Sequence, residues 1–292
     1  AIGRLAFTGG SGIAVGNIAI GHKALDATAA TNQYGNIAIG FEALTLQDTA
    51  TAVAIGDTAN PNIAIGYQAG ARITSGDSNV LIGHLVHGKA AADGRGDDNV
   101  YIGARSAYTA TDADSNVAIG RDSLYSTVAG AYNIAIGHSA LYTANENDND
   151  GTVAIGYEAC KVQAGTGGAQ FASATVGIGY KALTALTTGV GNTAVGYESM
   201  ADNTTGAYNT AFGYQSGHHM VPGGATPSWN TYIGYQSGFY MDDGTSNVGV
   251  GYRALYSNAS EANDGADNVA VGRNALMSLT DGYKNVALGR GA

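Results

Sequence analysis

The chain has 292 residues and a formal net charge of −10, with 12% charged residues, 45 Gly, three Pro and one Cys. So few prolines exclude collagen and Pro-rich linkers, a single cysteine excludes an intrachain disulfide, and the acidic balance argues against nucleic acid or anionic lipid as a partner. Charge this sparse, against ~25% in an ordinary soluble domain, favours burial of surface in an oligomer.

The first sixteen residues read as an irregular coil, although Ala1-Ile2-Gly3 looks like the tail of a repeat. From there a short apolar stretch ending in glycine recurs sixteen times, beginning with Asn17-Ile18-Ala19-Ile20-Gly21 and Asn36-Ile37-Ala38-Ile39-Gly40, and ending with Asn285-Val286-Ala287-Leu288-Gly289. The closing glycines lie 17 residues apart in seven of fifteen intervals, and between 10 and 23 apart in the others. A fixed unit with variable connections is the mark of a solenoid. Each unit is too short for a helix and rich in β-branched residues, so it predicts a strand. Along such a strand the residues three before and one before the glycine share a face. Ile18 and Ile20, or Val117 and Ile119, are therefore expected in the coil core. The Ala between them then faces another chain at close range or, more plainly, solvent. Sixteen coils at roughly 4.8 Å each make a rod on the order of 75–80 Å long.

A second pattern follows the glycine: Tyr180-Lys181-Ala182-Leu183, Tyr252-Arg253-Ala254-Leu255 and, with other first residues, His22-Lys23-Ala24-Leu25. It predicts a second short strand or a bend whose Ala and Leu return to the core. Glycine allows the corner, and the Asn that opens most units adopts the left-handed region or bonds locally at the preceding corner. The repeated aromatic (Tyr67, Tyr157, Tyr180, Tyr197, Tyr214, Tyr235 and Tyr252) forms either a packed ladder or a glycan-binding one.

Between the units lie the candidates for chemistry. Arg95-Gly96-Asp97 is a chance tripeptide in a Gly- and Asp-rich loop. Glu146, Asp148 and Asp150 resemble the first half of a calcium loop, but the bidentate Glu due at position 12 falls on Tyr157, so solvated turn carboxylates fit better. Cys160 holds a slot usually taken by Leu and reads as a small buried hydrophobe. A first insertion, residues 161–175, is a plain surface loop. A second, residues 217–230, holds the only Trp and the adjacent His218 and His219. Its candidate receptor-binding residues are His218, His219, Trp229 and Asn230. Trp229 either meets a sugar or protein or folds back over the coil. Metal at the histidines is not expected, because neighbours along a strand point apart. No nucleophile elbow, zinc-helix motif or phosphate loop occurs, so neither an enzyme nor a cofactor is expected. No eighteen-residue apolar run exists, so no membrane-inserting helix is expected.

The Asn-x-Ala-Ile/Val-Gly repeats resemble the head of trimeric autotransporter adhesins, the YadA-like left-handed β-roll. The longer unit, from Asn192-Thr193-Ala194-Val195-Gly196-Tyr197 to Asn209-Thr210-Ala211-Phe212-Gly213-Tyr214, is more similar to repeat regions of phage tail fibres. The resemblance covers residues 16 to 289. It implies an all-β, left-handed parallel β-solenoid of about sixteen coils over residues 1–292, elongated and assembled as a parallel homotrimer. It further implies a piece of a longer chain that joins other tail or baseplate proteins through missing termini. The expected role is attachment of a phage particle to a glycan or protein receptor on a host cell. The expected location is the virion tail, or the outer surface of a bacterium if the chain is instead an adhesin head. A polysaccharide depolymerase is the remote alternative.

Overall fold

A computed structural model describes residues 1–7, 13–26, 32–45, 61–88, 94, 96–127, 130–144, 150–163, 173–220, 226–257 and 265–292. These residues contain strands and turns but no helix, so none that could cross a membrane. The chain divides into two compact units. One comprises Ala1–Ser139 with Thr143–Asp148, the other Ala140–Tyr142 with Asn149–Ala292.

Each unit is a parallel β-solenoid. In the first, the three-residue strands Ile18–Ile20, Ile37–Ile39, Ile63–Ile65, Val80–Ile82, Val100–Ile102, Val117–Ile119 and Ile134–Ile136 pair in parallel and in chain order. The second repeats this from Val153–Ile155 to Val286–Leu288, in eight strands. Register is fixed residue for residue, as Val117↔Ile134, Ala118↔Ala135 and Ile119↔Ile136. Chain entry already follows the pattern, with Ile2 pairing Ile20. Ile37–Ile39 pairs directly with Ile63–Ile65, so no rung separates them. The motif copy ending at Gly56 falls outside the described residues, and the described ladders have fifteen rungs rather than sixteen.

The strands face opposite to the expectation from residue size. Ala19, Ala38, Ala64, Ala118, Ala194 and Ala270 are buried, whereas Ile18 and Ile20 are 45% and 38% exposed. The interior is too narrow for large side chains from both walls. Where the central strand residue grows, the opposite wall shrinks. A methyl on Gly70 would lie 2.7 Å from Leu81 Cδ1, and one on Gly238 would overlap the Tyr232 ring. Where the opposite wall carries Cys160, the strand has Gly177. The interior is filled by small strand residues meeting the Ala and Leu of the second pattern. Leu25, Leu44, Leu124, Leu183 and Leu255 are fully buried, each worth about 1.5–3 kcal/mol relative to exposure.

The corner glycine is required twice over. At Gly120 φ is +134°, and a Cβ there would approach the carbonyl oxygen of Gly137, one coil on, to 2.5 Å. The segment after it is neither strand nor simple bend. Its second and fourth residues are left-handed, as at Glu42 (φ 51°) and Leu44 (φ 50°). This costs roughly 1–2 kcal/mol per non-glycine residue. Backbone bonds between coils offset the cost: Glu42 N–H donates to His22 O at 2.9 Å and Leu44 N–H to Ala69 O at 3.0 Å.

Asparagine acts chiefly between coils, although Asn192 Nδ2 also donates to Gly189 O at its own corner (3.2 Å). Asn79 donates both its backbone N–H (2.9 Å) and its Nδ2 (3.1 Å) to Asn62 Oδ1, and its Nδ2 also reaches Gly96 O at 2.8 Å. Asn99 and Asn116 continue this ladder, and Asn209, Asn230, Asn247, Asn268 and Asn285 build its counterpart in the second unit. The left-handed residue is the one before Asn, such as Ser115, Tyr132, Tyr208 and Trp229.

Candidate functional site

With Ala inside, the coils carry their large apolar residues outside. Ile18, Ile20, Ile65 and Ile119 in the first unit, and Phe212, Ile233, Val286 and Leu288 in the second, are exposed. Beside this column, just past the glycine corner, runs an aromatic one. In the first unit His22, Phe41, Tyr67 and His84 stack with centroids 5.1–5.2 Å apart. In the second, Tyr157, Tyr180, Tyr197, Tyr214, Tyr235 and Tyr252 stack at 5.0–5.2 Å. Coil spacing sets this interval, so the rings pack on one another while about two fifths of Phe41 and of each tyrosine stays exposed.

The second insertion splits into three environments. Trp229 does not fold back over the coil: it is 63% exposed at a left-handed corner (φ 58°), with its backbone N–H donating to Ala207 O at 3.2 Å. Together with Tyr208 it borders an open groove whose other walls include Thr188, Thr205, Thr226 and Ser228. Two aromatic faces among hydroxyl groups suit the apolar and polar faces of a sugar. Asn230, one residue on, cannot take part. It is 1% exposed, and its side chain is committed to the ladder through Asn209 Oδ1 and Gly244 O. Residues 221–225 lie outside the described residues.

His218 and His219 sit elsewhere and do not point apart. The segment is not a strand, and their rings meet edge-on with centroids 4.5 Å apart. His219 Nδ1 lies 2.6 Å, and His218 Nδ1 3.4 Å, from Asp202 Oδ2. His218 Nε2 lies 3.5 Å from Glu198 Oε2. Asp202 comes from the preceding coil and is held there by its backbone N–H donating to His218 O at 3.1 Å. The nearness of His218, with help from His219, keeps the Asp202 carboxyl below its usual range. Burial, reinforced by His218, lowers the His219 pKa against the opposing pull of Asp202. Among the described residues this is the one trio placed to hold a metal ion.

Of the calcium candidates, Glu146 and Asp148 lie outside the described residues, and Asp150 alone is described. The acidic turns have a structural use. Asp77 N–H donates to Asp97 Oδ1 at 2.7 Å and Asp97 N–H to Asp114 Oδ1 at 2.8 Å, tying successive coils. Arg95 of the tripeptide is outside the described residues. Cys160 is fully buried as expected, and burial pushes its thiol up to about 12. Comparison with protein-family models, with curated proteins and with solved structures finds no match.

Proposed function

We propose that this chain is a structural and receptor-binding segment of a phage or phage-like tail fibre, assembled as a parallel homotrimer that attaches the particle to a host cell surface. The observation that carries the reading is the outward apolar column, repeated on successive coils beside the stacked aromatics. A contiguous apolar stripe of this kind marks a surface that meets another protein. A periodic stripe is best matched by another copy in the same register, where each coil meets its own counterpart. The low charge supports the same occupant. Attachment then falls to what stands off the coils, above all the Trp229–Tyr208 groove, which suits a cell-surface glycan. Three copies of a weak site on one assembly raise avidity without a strong single contact. In this reading the protein does no catalysis. The head of a bacterial surface adhesin rests on the same column and differs in what anchors it.

Sedimentation equilibrium of the purified chain tests the assembly. Three chains per particle are expected, and Ile20→Glu with Ile65→Glu should lower the number. A monomer at micromolar concentration refutes the proposal. Binding of labelled protein to host cells should fall at least tenfold with Trp229→Ala, and unchanged binding removes the groove from the reading.

A further inference from the structure

We propose that Asp202, His218 and His219 form a binding site for a divalent transition-metal ion of the zinc class, which ties two successive coils of the second unit together. One ligand atom from each side chain falls within 4.8 Å of the other two. Tetrahedral zinc with ligands at ~2.0–2.1 Å holds them roughly 3.3 Å apart. The separation of His218 Nδ1 from Asp202 Oδ2 is already 3.4 Å. The His219–Asp202 pair, a contact of 2.6 Å, reaches that spacing by a small side-chain rotation.

The surroundings are those of a metal ligand rather than of a surface histidine. His218 Nδ1 is buried and makes no hydrogen bond of good geometry. His22 and His87 Nδ1 share that state, but at His218 the carboxylate oxygen of Asp202 lies 3.4 Å away. Behind the ring, Glu198 Oε2 faces Nε2 at 3.5 Å and is steadied by Gln215, whose Nε2 donates to it at 2.9 Å. A carboxylate in that place favours a proton on Nε2, which would leave the Nδ1 lone pair for a metal, the usual outer-shell arrangement of metal-bound histidine. Stacking holds both rings: His218 on Phe239 with centroids 5.1 Å apart, and His219 on Tyr240 at 5.0 Å and 3°. Little rotamer freedom remains to be lost on binding.

Two imidazoles and one carboxylate favour Zn2+, Co2+ or Ni2+ over Ca2+ or Mg2+, which prefer all-oxygen sites. With three protein ligands, water completes the coordination. The ligands lie 16 and 17 residues apart in sequence, one coil, so the ion acts as a staple and stabilises by mass action.

Titration calorimetry of the tag-free full chain with ZnCl2 is expected to show one Zn2+ per chain. His218→Gln, His219→Gln and Asp202→Asn should each weaken binding more than 10-fold, and Glu198→Gln by about 10–100-fold. His138→Gln, in the first unit, should leave it unchanged. Wild-type protein that takes up no Zn2+, or uptake that survives His218→Gln with His219→Gln at full strength, overturns the proposal. The Co2+ form of the wild-type protein gives a readout independent of any variant's folding. Visible absorption of a nitrogen-ligated, low-coordinate ion is expected, and the spectrum of hydrated Co2+ alone overturns the proposal.

Discussion

Asn209→Ala tests whether the amide ladder holds the coils together. Asn209 Oδ1 accepts from the Asn230 backbone N–H at 2.9 Å and from its Nδ2 at 3.1 Å, while Asn209 Nδ2 donates to Pro227 O at 2.8 Å. Truncation strands three polar groups: a backbone N–H, one amide proton and one carbonyl. Asn209 and Asn230 are 0% and 1% exposed. An orphaned buried group costs ~1–3 kcal/mol, so the loss should be at least about 3 kcal/mol. Thr152 and Thr175 open their strands where other coils use Asn, and both are fully buried, so Asn209→Thr should cost roughly half as much. Coils contact only their neighbours, so damage should be local as well as global. Hydrogen exchange at the Asn230 amide, read together with urea unfolding, checks both. A cost below about 1 kcal/mol with Asn230 still protected would mean that water fills the gap, and the ladder would not be what joins the coils.

Gly213→Ala brings a Cβ within 2.5 Å of Gly234 O at φ +140° and should abolish folding of the coil, whereas Gly151→Ala, with nothing within 4 Å, should cost only about 1–2 kcal/mol; circular dichroism melts separate them. Native Cys160 should resist thiol reagents at pH 8 and react fully in denaturant, because its thiol is buried and its pKa is about 12. Burial lowers the His87 pKa from 6.5 to about 4. The unfolded chain therefore binds the extra proton, and stability present above pH 6.5 is lost as pH falls toward 4, by up to ~3 kcal/mol. His87→Leu should flatten that part of the pH–stability curve.

The glycine interval revealed parallel coils, corner glycines and their close stacking, because those demands fall on single residues. Residue size is a poor guide here to which face lies inside. It works as a guide where two layers pack about 10 Å apart. Here two walls meet over a methyl group, and Ile37 and Ile39 have no room beside Leu44. The true signal was correlation: Leu81 against Gly70, Tyr232 against Gly217 and Gly238, and Cys160 against Gly177 each trade volume across the coil. Asn230 opens the next strand as Asn209 and Asn247 do, so it belongs to the ladder rather than to the loop before it. The approach of Asp202 to His218 depends on left-handed turn residues and coil register, which the local pattern of His218-His219 does not contain.

The amide ladder also has a direction. In the described ladders each Asn oxygen accepts from the next coil along the chain, as Asn62 does from Asn79 and Asn209 from Asn230. The carbonyl dipoles are therefore aligned head to tail, and each coil polarises its successor. A finished coil thus presents ready acceptors to the one still to form, much as the growing tip of a polymer presents a template to the incoming monomer. The two ends of a ladder therefore differ, one offering acceptors and the other donors, and connections of any length can be accommodated provided the next Asn arrives in register.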